Sequence, residues 1–63
     1  MEDGEGYIIE FIALGSAMKV IAIDPVTQRE VSIVGNPKET RKALAKVAID
    51  KLKYVMKRDA DGD

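Results

Sequence analysis

Acid–base and nucleophilic chemistry draw on a short list of side chains, and this 63-residue chain lacks most of them. It has no His and no Cys, so the residue that most often moves protons near neutral pH is missing. The carboxylates Glu10, Asp24 and Glu30 fall on separate segments with no evident cleft between them. Ser16 belongs to a turn and Ser32 to an outward strand position, and neither has a base to activate it. No Gly-rich phosphate loop precedes the helical region, and Gly35-Asn36-Pro37 is explained by helix capping. One sheet layer and one helix leave little room for a substrate pocket. The chain is therefore expected to have no catalytic residues and to be no enzyme.

Metal and cofactor sites are not expected either. Structural zinc is held chiefly by Cys and His. The run Asp59-Ala60-Asp61-Gly62-Asp63 has alternating carboxylates. A calcium loop needs twelve residues closed by a bidentate Glu, and this run has five, with its glycine misplaced. A solvated acidic tail is the expectation for residues 59–63.

The basic side chains are more informative. Net charge is −1, yet residues 37–58 alone carry a net of +6 while both flanks are acidic. Lys42, Lys46, Lys53 and Lys57 recur at helical spacing and form a ridge. Such a ridge solvates a helix face or meets phosphates. Aromatics are too few for base stacking: Tyr7, Phe11 and Tyr54 are the whole set.

The elements that carry these residues follow from the apolar pattern. Residues 1–6 read as a flexible acidic tail. Three runs rich in Val, Ile and aromatics follow, Tyr7–Leu14, Ala17–Asp24 and Arg29–Val34, each bounded by turn residues. Gly15-Ser16 suits a two-residue type II′ hairpin turn, and Asp24-Pro25-Val26-Thr27 suits a type I turn within a four-residue loop. The first turn pairs Ile9 with Ala22 and Phe11 with Val20. The second pairs Ala22 with Val31 and Val20 with Ile33. Both registers put the same residues on the same face, which an error of one residue would have mixed.

One face then holds Tyr7, Ile9, Phe11, Ala13, Met18, Val20, Ala22, Val31 and Ile33, and is the expected core. The other holds Glu10, Lys19, Glu30 and Ser32, as a solvated face should. It also holds five aliphatics, Ile8, Ile12, Ile21, Ile23 and Val34. A contiguous group of that size marks association.

A helix is expected next, with Asn36 as its cap, Pro37 in the first turn and Glu39 completing a capping-box-like pattern. Its stripe is Leu44, Val47, Ala48, Leu52 and Val55, widened by Ala45, Ile49 and Met56. The stripe is broader than one sheet covers, so the Ile49–Met56 edge is expected to stay partly bare. Lys57 and Arg58 suit the helix C-terminus. The fold class is α+β, a three-stranded antiparallel meander followed by one packed helix, with the domain spanning 7–58.

A chain this short builds a marginal core, and with no Cys for a disulfide the remaining staple is a partner. A homodimer through the outer aliphatics or the Ile49–Met56 edge is the leading expectation. The acidic start lacks the basic region of a secretory signal, and no apolar run is long enough to span a bilayer. A cytoplasmic location without membrane attachment is expected.

Two resemblances add to this. Glu10-Phe11, Gly15, Met18-Lys19-Val20, Ala22-Ile23-Asp24, Thr27, Glu30-Val31, Ala48 and Lys51-Leu52 resemble a family of short bacterial proteins known only as a domain of unknown function. That resemblance implies no activity. Residues 37–52 resemble the last helix of double-stranded-RNA-binding domains, which also follows three antiparallel strands. Lys38 and Arg41 match two of that family's phosphate-contacting positions, and Pro37 stands where a third would be. The family's first helix has no counterpart, and the tight Gly15-Ser16 turn replaces its longer loop. The function expected is a non-catalytic interaction module that associates with itself or another protein. The alternative is a weak duplex-RNA binder using Lys38, Arg41, Lys42 and Lys46.

Overall fold

The computed structural model describes residues 6–60. Three strands, β1 (Ile8–Leu14), β2 (Ala17–Ile23) and β3 (Glu30–Gly35), precede one helix, α1 (Arg41–Ala60). The strands form one antiparallel sheet in the order β1-β2-β3, and α1 packs on one face of it. The α+β meander expected from the sequence is the observed fold.

Both registers agree with the turn analysis. Ile9 pairs with Ala22 and Phe11 with Val20, while Ala22 pairs with Val31 and Val20 with Ile33. Gly15 alone in its turn has positive φ, at 57°, which is the type II′ pattern. The second loop differs in one detail. The Asp24 carbonyl accepts from the Gln28 amide at 2.7 Å, one residue further than a type I turn requires. Gln28 takes positive φ to close the loop. The Asp24 carboxylate accepts from the Val26 and Thr27 amides, which holds the loop's first half.

The helix begins four residues later than its sequence signals suggest. Thr40 is the cap: its Oγ1 accepts from the Ala43 amide at 3.0 Å, and its carbonyl accepts from Leu44. Asn36 instead closes a separate turn, accepting from Lys38 with its side chain and from Glu39 with its carbonyl. An Asn-Pro pair serves a turn as readily as a helix start, and a hydroxyl three residues before Ala43 captures the free helical amide. Thr40→Ala should therefore cost about 1 kcal/mol in a urea titration. Asn36→Ala should leave helix content unchanged by circular dichroism.

At its other end α1 runs to Ala60, two residues beyond the expected boundary at 58. Asp59 belongs to the helix and pairs with Arg29 of the second loop. This tie is solvent-exposed and contributes about 0.2–1 kcal/mol. Residues 1–5 and 61–63 of the expected tails lie outside the described residues.

The core is Val20 and Ala22 from the central strand with Leu44, Ala48, Ile49 and Leu52 from the helix. Tyr7, Ile9, Phe11, Met18, Val31, Ile33 and Met56 pack around it. Three expectations are corrected here. Ile49 is buried and Met56 is half-buried against the core, so the expected partly bare edge narrows to Met56. Val47, expected in the stripe, is half exposed. The helix is rolled so that Leu44, Ala48, Ile49 and Leu52 sit on the sheet, and Val47 is left at the side. Ala13, assigned to the core face, is exposed near the β1–β2 turn.

Gly35 marks the close approach of β3 to the helix. A Cβ there would stand 2.4 Å from Leu44 Cδ2. Leu44 is buried, so its side chain has little freedom to retreat.

Candidate interaction surfaces

The helix occupies one face of the sheet, and among the described residues nothing covers the other. Strand alternation places Ile8, Glu10, Ile12 and Leu14 of β1 on that outer face. Ala17, Lys19, Ile21 and Ile23 of β2 and Glu30, Ser32 and Val34 of β3 join them. Ile8 is 46% exposed, Ile12 41%, Leu14 48% and Val34 67%. Ile21 and Ile23, on the central strand, are half-buried by their neighbours.

The five outer aliphatics expected from the sequence are thus brought together on one surface. Leu14 belongs with them, and the period-two pattern from Ile12 was the signal for it. Charges do not divide the patch evenly. The Ile8–Ile23–Glu30 and Ile12–Lys19–Val34 rows each end or centre on one charge, while the Leu14–Ala17 row has none. A shallow open depression lies beside Lys19, Ile21, Glu30 and Ser32.

The second surface is the basic helix. Its four residues named for RNA do not act as one group. Lys38 sits in the turn before the helix, not on it. The Arg41 guanidinium lies over the Phe11 ring, 4.8 Å from its centroid, and so leans toward the sheet. Lys46 Nζ donates to Asp50 at 2.8 Å. Lys42 projects into solvent. Lys53 and Lys57 continue the ridge toward the C-terminus. Beside the ridge, Val47 and Tyr54 are exposed one heptad apart, with the Arg58 guanidinium 5.8 Å from the Tyr54 centroid.

Lys51 lies off the lysine ridge. Its Nζ donates to the Ser32 carbonyl on β3 at 2.9 Å. It therefore covers part of the sheet's β3 edge. No sequence pattern signals this contact, because it depends on how the helix crosses the sheet.

Among the described residues no cluster of carboxylates is placed to hold a metal ion. None of their helices is long and apolar enough to cross a membrane.

The domain model of unknown function DUF6898 matches residues 4–59. The chain belongs to this family. The match spans all three strands and nearly the whole helix. No curated protein and no solved structure matches the chain.

Proposed function

We propose that this member of the family is a non-catalytic interaction module that associates with a second copy of itself through the outer sheet face. The carrying observation is that face: Ile8, Ile12, Leu14, Ile21, Ile23 and Val34 lie on one surface that the helix leaves open. A solvated sheet face alternates polar residues outward, and this one replaces most of them with aliphatics. Removing such a patch from water is favourable in proportion to its area. Self-association also supplies the stabilisation that a core of six buried residues, among those described, lacks.

The basic helix supports duplex-RNA binding less well. Of the four residues, one lies off the helix and two are engaged within the chain.

Ile21 is the centre of the outer face, on the central strand. Ile21→Lys puts a charge where the two faces meet. Sedimentation velocity should lose the face-paired species, and that species should persist for the wild type in high salt, which strengthens apolar burial. An unchanged sedimentation profile for Ile21→Lys overturns the face as the interface. Dissociation of the wild type with rising salt, with duplex RNA bound at low salt, would favour the basic helix instead.

A further inference from the structure

The outer face is small for the task just assigned to it. Seven-residue strands in a three-stranded sheet cover roughly 24 Å by 14 Å, a footprint of roughly 340 Å². A stable interface takes about 800 Å² per partner. Something must enlarge the surface, and the two edges of the sheet are unequal in a way that shows how.

The β3 edge is guarded. Asp24 and Arg29 close the β2–β3 loop through the Asp24 amide and the Arg29 carbonyl. Alternation then turns Val31, Ile33 and Gly35 toward β2, and the backbone groups of Glu30, Ser32 and Val34 outward. Lys51 takes the outward Ser32 carbonyl, and the Arg29–Asp59 pair ties the loop at the strand's start to the end of the helix. A lysine at an edge is a common bar to strand addition.

Among the described residues no side chain is recorded on the outward backbone groups of the β1 edge, and the nearest charge on its inner side is the Arg41 guanidinium over the Phe11 ring. Leu14 and Ala17 flank a two-residue turn and are its hydrogen-bonded closing pair. Alternation directs Ile12, Glu10 and Ile8 to β2, so the amides and carbonyls of Ile9, Phe11 and Ala13 face away from the sheet. Among the described residues no strand lies beside them. The strand has no Pro, no Lys and a single charge, Glu10, whose side chain belongs to the outer face. The helix also leans away from it, packing on β2 and β3. Ile9 and Phe11 are left half-buried and Ala13 exposed on the inner side.

We infer that β1 pairs antiparallel with β1 of a second copy, making one six-stranded sheet across a two-fold axis through Phe11; this rests on the proposed self-association and specifies its geometry. The register is set by the free groups and the charge. With Phe11 opposite Phe11, Ile9 exchanges hydrogen bonds with Ala13 of the second copy, which uses the outward-facing residues on both strands. Glu10 then lies opposite Ile12, whereas a shift that put Phe11 opposite Ile9 would set Glu10 against Glu10, an unfavourable like-charge pair. The axis stands perpendicular to the sheet, so both helices lie on one side. Ile9 and Phe11 of the two copies meet in the trough between them, with the Arg41 guanidinium of each copy over its own Phe11 ring at the trough's rim. On the other side the two outer faces join into one surface of roughly twice the footprint, closer to what a stable interface takes.

Amide hydrogen exchange of the full chain, read by NMR at low and high protein concentration, tests this. The amides of Ile9, Phe11 and Ala13 should exchange quickly when dilute and at least about tenfold more slowly when concentrated. Those of Glu10 and Ile12, bonded to β2, should be protected at both. Ala13→Pro removes an outward-facing donor at an exposed residue and leaves the β2 ladder intact. It should abolish the concentration-dependent protection at Ile9 and Phe11 with the amide spectrum still folded. Fast exchange at all three positions at every concentration overturns edge pairing. The same series on Ile21→Lys separates the two interfaces. Edge protection that survives while the larger species is lost supports both. Sedimenting assemblies without edge protection leave the face alone.

Discussion

Leu52→Ala should remove most of the chain's folding stability. Leu52 is fully buried and is the largest such side chain among the described residues. It sits midway along the apolar stripe of α1, between Ala48 and Met56. Truncation of a buried Leu costs about 2–5 kcal/mol, from lost transfer energy and the cavity left behind. A single core of this size supplies about 3–5 kcal/mol. The expected result is a chain largely unfolded when dilute, seen as loss of helical circular dichroism at 25 °C. If association stabilises the fold, helix content should return as concentration rises, because a partner that binds only the folded form shifts the equilibrium by mass action. A Leu52→Ala chain as stable as the wild type would mean that the helix does not depend on the sheet.

Ala48→Leu should be the second most damaging change, for the opposite reason. Ala48 and Ala22 are both fully buried, one on the helix and one on the central strand. Small residues at the crossing let α1 settle close to β2, and Gly35 does the same where Leu44 meets β3. A larger side chain at Ala48 has no space to enter, and overpacking of this kind costs about 1–3 kcal/mol. The helix would lift from the sheet, which should also release Lys51 from the Ser32 carbonyl. The measurable consequence is a lower urea midpoint. A midpoint equal to the wild type would show that the crossing is loosely packed.

The register of the sheet was legible in the sequence to the residue, and the strand bounds to within one. Two turns with well-defined chemistry, Gly15-Ser16 and Asp24-Pro25, each set a register, and the side-chain period of two made those registers check one another. The same alternation located the outer aliphatics before any coordinates. It also contained Leu14, which follows from Ile12 by the same step of two.

The helix was legible as an element and less so at its start and in its roll. Asn36, Pro37 and Glu39 present every residue type of a helix start, and Thr40 presents one. The choice between them depends on where the chain must turn after β3 to lay the helix across the sheet, which no local pattern contains. The roll of α1 is likewise undecided by a stripe of roughly 200°. Any part of so broad an arc satisfies amphipathicity, and only packing against Val20 and Ala22 selects Ile49 over Val47 for burial.

The basic residues show the same division. Their number and spacing are properties of the sequence. Their partners are not, since Arg41 meets Phe11 from thirty positions away and Lys51 meets Ser32 across nineteen. The sequence by itself determined a meander followed by a helix, a one-sided core and an apolar outer face, because turn chemistry and strand alternation are local. Only the tertiary structure decided which sheet edge is guarded and which is open. That follows from the direction in which the helix crosses the sheet, and the crossing is set by close packing at Ala22, Gly35 and Ala48.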